Sequence, residues 1–171
     1  MTTREQPDEE TLRGRAERLK ERVYVTFTSL AVVLALSAHP EDTTAGAAVT
    51  TLLVVVLGTL LAVFVADVIS HIAVHAALPT GAEFRQMVGV TAGAIGVVVL
   101  PLVFLGLSAL GVWSLAAGLR ASSIALIAGL VVIGYLAARR VNLPGWQRAI
   151  VLLAEAVLAL AVIGLELLAH G

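Results

Sequence analysis

The sequence predicts an all-α fold: a polytopic membrane helix bundle of about five transmembrane helices, with the amino terminus cytoplasmic. Three observations predict it. Hydrophobic residues make up 59% of the 171 residues and mean hydropathy is +0.98, far above the composition of soluble domains of this size. The apolar residues fall in runs near the roughly 20 residues that cross a hydrocarbon core about 30 Å thick. Short breaks rich in proline, glycine and acidic residues separate the runs, so neighbouring spans should be antiparallel. The chain has no room for a large soluble catalytic domain and is not expected to be an enzyme. With no cysteine it has no disulfide framework, thiolate metal site or cysteine nucleophile. A net charge of −1 gives no reason to expect nucleic-acid binding.

Residues 1–22 read as a polar cytoplasmic segment and 23–171 as the transmembrane domain. The first 22 residues hold six basic and six acidic side chains, which rules out a signal peptide with its short positive start and apolar core. Acids come first (Asp8, Glu9, Glu10) and bases follow (Arg13, Arg15, Arg18, Lys20, Arg22). This order places a positive collar against the first span. The segment is expected to be a solvated, frayed tail, with Arg13 and Glu17 available as an i,i+4 pair for a short surface helix.

The five spans run from Val23 to Ala38, Ala45 to Leu78, Met87 to Leu110, Ala121 to Ala138 and Arg148 to Leu168. Pro40 with Glu41 and Asp42 ends the first, Pro79 with Gly81 the second, Gly111 the third, and Asn142 to Gly145 the fourth. An inside amino terminus puts ten of the eleven basic residues on the inner side and leaves only Arg120 outside. Trp113 at the outer edge, with Trp146, Tyr135 and Tyr24 at the inner edge, suits interfacial aromatic belts. Gly89 with Gly93, and Ala125 with Gly129, form small-xxx-small pairs that predict close packing between spans or subunits. Pro101 removes one backbone hydrogen bond and should kink the third span.

Candidate functional residues concentrate on spans two and five. Asp67, His71 and His75 recur every four residues, which keeps a carboxylate and two imidazoles on one helix face, about 6 Å apart along the axis. As one helix the second span would reach about 51 Å. It therefore either protrudes into the cytoplasm or tilts to bring Asp67 and His71 into the membrane. Glu155, within two turns of the inner end of the fifth span, should sit near the depth of Asp67. Arg22, Thr26 and Ser29, at i, i+4 and i+7 on the first span, complete an inner polar layer in which Arg22 is the natural countercharge. Glu166 and His170 belong to the outer end, where solvation at the interface accounts for them.

Such a line of side chains admits three readings. The i,i+4 histidines with Asp67 can supply ligands to a divalent metal, and no other cofactor is expected. The same residue types suit a proton or cation pathway, with imidazoles that titrate near neutrality. They also suit a structural polar face. No Gly-rich phosphate loop, Ser/His/Asp arrangement or redox motif is visible.

The segments Arg-Val-Tyr-Val-Thr at 22 to 26 and Ala-Asp-Val-Ile-Ser-His at 66 to 71 resemble a family of small uncharacterised actinobacterial integral membrane proteins. That family has an Arg-Ile-Tyr-Gly-Thr-like start and an Ala-His-Val-Tyr-like motif ending its second span. The resemblance covers about 50 residues, implies topology and no chemistry, and places Asp67 where the family has histidine. A more distant similarity is to bacterial potassium channels of the lysosomal type, whose first span reads Arg-x-x-x-Phe-Ser-Asp. Here Phe27-Thr28-Ser29 follows Arg22 at a different spacing and without the Asp.

The resulting expectation is a multi-pass protein of the cell (inner) membrane that passes protons or cations through an intramembrane acidic/histidine site. Its partners would be the lipid bilayer and further copies of itself as a homo-oligomer. The rival expectation is a non-transporting scaffold or accessory subunit docking another membrane protein, with the same residues as a structural ion-pair layer.

Overall fold

The computed structural model describes residues 9–140, 145–147, 149–150, 153, 156–157, 160–161 and 164. All the named elements are helical: α1 (Glu9–Ala38), α2 (Ala45–His75), α3 (Gly81–Ala94), α4 (Val99–Ala109) and α5 (Leu115–Arg140), with 3-10 turns at Pro40–Asp42 and Ile95–Val97. Three helical stretches are long and apolar enough to cross a membrane: Ala16–Ala38, Ala45–His75 and Leu115–Ala137. The pair α3 and α4 makes a fourth if its two parts, bent by 48°, count as one span. The fifth expected span, Arg148 to Leu168, falls largely outside the described residues.

The helix ends follow local chemistry. Thr44 caps α2 by accepting the Ala47 N–H at 3.2 Å, satisfying one of the orphan donors at a helix start. At the other end Ala76 takes a left-handed conformation (φ 50°) and its N–H bonds the Ile72 carbonyl. A side chain pays roughly 1–2 kcal/mol for that conformation, and Pro79 then prevents continuation. Thr80 and Glu83 form a reciprocal capping box that starts α3. Gly111 (φ 76°) stops α4, with Gly111 N–H on Ser108 O and Val112 N–H on Leu107 O, both 3.0 Å. That pair of bonds is the Schellman pattern, which glycine enters without strain.

The bend between α3 and α4 lies one turn before Pro101. The proline lacks the N–H that Val97 would have received and its ring crowds that carbonyl, so the chain tightens into a 3-10 turn in which Val98 N–H bonds Ile95 O at 3.1 Å. Regular bonding resumes at Leu102, whose N–H reaches Val98 O at 3.0 Å.

The core runs along one line of α1. Val25, Leu30 and Val33 are fully buried against Ala48, Leu52, Val56 and Leu60 of α2, Ala94, Val98 and Leu105 of the bent pair, and Leu119 and Leu126 of α5. The opposite face of α2 shows Val54, Leu57, Leu61, Val65 and Ile69 to the outside. Large apolar residues therefore lie on both faces of α2, as suits a helix solvated by lipid.

Two expectations are corrected. Residues 9–22, expected as a frayed tail, continue α1 as regular helix, because Gly14 and Glu21 are buried and α1 packs against α3 as well as α2 and α5. Within the chain the small-xxx-small glycines make no close approach between spans: a Cβ at Gly89, Gly93 or Gly129 would meet nothing within 4 Å. The tight glycine is Gly118 on α5. There a Cβ would run into Ser108 Oγ and lie 3.2 Å from the Phe104 carbonyl and 3.3 Å from Trp113 Nε1. Those atoms are already committed, since Trp113 Nε1 donates to Phe104 O at 3.0 Å and Ser108 Oγ donates to the same carbonyl at 3.2 Å.

Gly118→Ala is therefore expected to destabilise the bundle by about 1–3 kcal/mol through overpacking, whereas Gly129→Ala should be neutral or stabilising by up to about 1 kcal/mol. Thermal unfolding in detergent reads both; a Gly118→Ala protein as stable as wild type would contradict the packing described.

Candidate functional site

Three helices bring their polar residues to the same end of the bundle: the amino-terminal half of α1, the last turns of α2 and the first turns of α3. Between them lies a cavity of about 290 Å³ lined by Gly14 and Glu17 of α1, Asp67, Ser70, His71, Val74 and His75 of α2, and Glu83, Gln86, Met87 and Val90 of α3. Its lining holds three carboxylates and two imidazoles, and no lysine or arginine.

The position of Asp67 and His71 follows from the register of α2. The buried stripe Ala48, Leu52, Val56, Leu60 continues with a seven-residue step to Asp67, then by four to His71. The polar line is thus the end of the core-facing stripe, turned toward protein rather than lipid. Phe64 and Phe84 lock this end of α2 to α3 with an edge-to-face contact, ring centroids 5.4 Å apart at 89°.

Within the cavity His71 Nε2 lies 3.9 Å from Glu83 Oε2, and the His71 and His75 rings stack obliquely, 4.5 Å between centroids at 41°. The His71 side chain is only 12% exposed, against 46% for Glu83. The same Glu83 oxygen accepts from the Thr80 N–H and the Thr80 hydroxyl, each at 2.7 Å. The cap that starts α3 therefore also aims a carboxylate at His71.

Behind Asp67 sits Glu21, which the sequence reading did not include. Glu21 is 1% exposed, and the neighbour acting on it most strongly is the Asp67 carboxylate it faces. Neither of its oxygens has a formed hydrogen bond. Lys20 and Glu17 act on it from its own helix, and among the described residues no ion pair neutralises it. A buried carboxylate without a cationic partner is costly, and among the described residues Glu21 is the carboxylate whose two oxygens are both buried without a hydrogen-bond partner. A signal for it exists in the sequence: stepping back by fours from Val33 gives Ser29, Val25 and Glu21, one helix line, with Glu17 next.

The other expected site residues are divided by the fold. Asp67, His71 and His75 share the cavity. Arg22 is exposed and offers Asp67 no ion pair; its carbonyl accepts the Thr26 hydroxyl at 2.6 Å. Thr26 and Ser29 are fully buried in the core rather than lining the cavity, and Ser29 Oγ, like Thr91 Oγ1, has no hydrogen-bond partner. Glu155 lies outside the described residues, as do Glu166 and His170. Among the described residues no group of three or more His, Asp and Glu side chains is placed so that it could hold a metal ion.

No family model, curated protein or solved structure matches the chain. The site must be read from its own chemistry.

Removing the Thr80 side chain tests the link between cap and cavity. Thr80→Ala should cost about 1 kcal/mol of stability through the lost cap and release Glu83 from its position against His71. Glu83→Gln, which can keep the box, should cost less. Unfolding curves of the two variants, compared with wild type, decide the order.

Proposed function

We propose that this chain is a multi-pass protein of the cell membrane, of about five spans with its amino terminus inside, that acts as a homo-oligomer to pass protons or cations through an acidic and histidine-lined vestibule. Basic residues set the orientation by the positive-inside rule. The observation that carries the functional reading is the cavity lining: Glu17, Asp67 and Glu83 face one space, three carboxylates against the single Arg18 guanidinium that lies beside Gly14. Walls of low dielectric around a net negative charge focus the field and concentrate cations. The imidazoles of His71 and His75 add groups that can accept and donate protons in the same space.

The depth of the site fits this use. If α2 enters the outer boundary near Ala45, the 22 residues to Asp67 span about 33 Å, which brings Asp67 to the inner boundary of a core about 30 Å thick. Water then reaches the cavity from the inner side while Glu21 stays behind it.

A second reading has its own observation. Beyond the polar end, Val25, Leu30, Val33, Leu52, Val56 and Leu60 close into an apolar cluster, and an apolar layer bars ions in this conformation. That favours a scaffold or accessory subunit whose polar layer is structural.

Flux into proteoliposomes separates the two. Wild type should carry protons or potassium, more strongly when the interior-facing medium is mildly acidic. Asp67→Asn should reduce the flux at least about tenfold, the change that about 1.4 kcal/mol of lost charge stabilisation produces. Because the chain has no native cysteine, Ser70→Cys can report orientation in the same vesicles, with labelling expected from the inner side only. Wild type silent for both ions would leave the scaffold reading.

A further inference from the structure

We infer that the ion this site takes is a proton, shared between the carboxyl groups of Glu21 and Asp67 and delivered through the cavity that holds His71. The inference rests on the cavity being a cation site, and it names the cation and a carrier, Glu21.

Geometry selects the proton. The cavity wall stops at Asp67; Glu21 is not part of the lining and is 1% exposed. Whatever passes from Asp67 to Glu21 must fit between two carboxyl groups that face each other inside packed protein. The cavity does not extend between the two carboxyl groups, so a metal cation with its shell of oxygen ligands has no space there. A proton needs only two oxygens. Both Glu21 oxygens are buried without a hydrogen-bond partner, so the side chain presents unused acceptors toward Asp67, and among the described residues no arginine or lysine is in ion-pair contact with it.

The surrounding charges agree. Among the described residues those acting on Glu21 are Asp67 from α2, and Lys20 and Glu17 from α1. On α3 the carboxylate of Glu83 is held by Thr80 and His71 instead. Two carboxylates facing each other without a cation repel; one proton between them converts the repulsion into a short acid–carboxylate hydrogen bond. In that step a hydronium ion in the cavity gives up its proton, an O–H bond forms on one carboxyl oxygen of the pair, neutral water remains, and the pair falls from two negative charges to one. His71 lies one turn from Asp67 on the same face, lines the same cavity, and can hold a proton in transit on either ring nitrogen.

The test is infrared difference spectroscopy of the full chain in lipid, taken between acid and alkaline pH, beside proton and potassium flux. Wild type should give a protonated-carboxyl band that titrates. Glu21→Gln should remove it, Asp67→Asn should shift it, and Glu21→Asp should keep a band at altered frequency, which shows that the site is still folded. Exchange of sodium for potassium, or addition of magnesium, should leave the wild-type band unchanged, and proton flux should fall at least about tenfold in Glu21→Gln. A band untouched by Glu21→Gln, or one abolished by any of those metal cations, overturns the inference. Potassium flux with no such band would also overturn it while leaving the transport reading standing. A band with the expected variants but no flux of either ion would uphold the shared proton and remove transport.

Discussion

The bundle depends on one line of α1: Glu21, Val25, Ser29 and Val33, four residues apart and all at most 1% exposed. Because α1 packs on α2, α3 and α5 at once, its rotation about its own axis is fixed by the burial of Val25, Leu30 and Val33. Rotation that satisfies the apolar members of the line also carries Glu21 out of water. A four-residue step advances only about 40° past a full turn, too little over one step to bring the side chain back to the surface. The carboxylate is thus buried by the register of the core, and the energetic penalty is borne by the whole helix rather than relieved locally by a partner.

The same logic explains why the polar residues of α2 face inward. Its outer face is a continuous apolar surface from Val54 to Ile69, and its inner stripe changes from Leu60 to Asp67 and His71 at the end of the bundle. Lipid on one side and protein on the other would invert the soluble pattern, so that the polar residues seek the protein interior. Water in the cavity then supplies part of the solvation that the bilayer would withhold. Glu21, buried and outside the cavity lining, has Asp67 as the neighbour that acts on it most strongly.

Much of this was legible in the sequence where a single residue type forces a local outcome. Gly111 ends α4, Pro79 follows the end of α2, Pro101 bends the third span, and the four-residue spacing of Asp67, His71 and His75 gives one face. What escaped the sequence was everything that needs knowledge of a partner. Residues 9–22 look like a solvated tail by composition, and only packing against α3 makes them a continuation of α1. Small residues at 89 and 93 state that no Cβ is present; they do not state that another helix arrives, and the helix that does arrive meets Gly118. Arg22 was the obvious charge for Asp67, yet it points outward one residue past the buried line, and its neighbour Glu21 takes the inward place. Hydropathy averages over both faces of a helix, so it cannot tell those adjacent residues apart.

The position of the bend gives the site a lever. α3 carries one wall of the cavity near its first turns, at Glu83, Gln86 and Met87, and meets the 3-10 turn at Ile95–Val97 at its other end. Glu83 lies 12 residues before Ile95, about 18 Å along rigid helix, so a change of about 10° at the bend would carry it by about 3 Å, a full hydrogen-bond length. The Phe64–Phe84 contact and the His71–Glu83 pair oppose such a swing at the cavity end, and they differ in kind. The aromatic contact is indifferent to pH, whereas the attraction between His71 and Glu83 exists in full only while the imidazole carries its proton. A protonated His71 would therefore tie the start of α3 to the end of α2 at the wall of the cavity that Asp67 also lines.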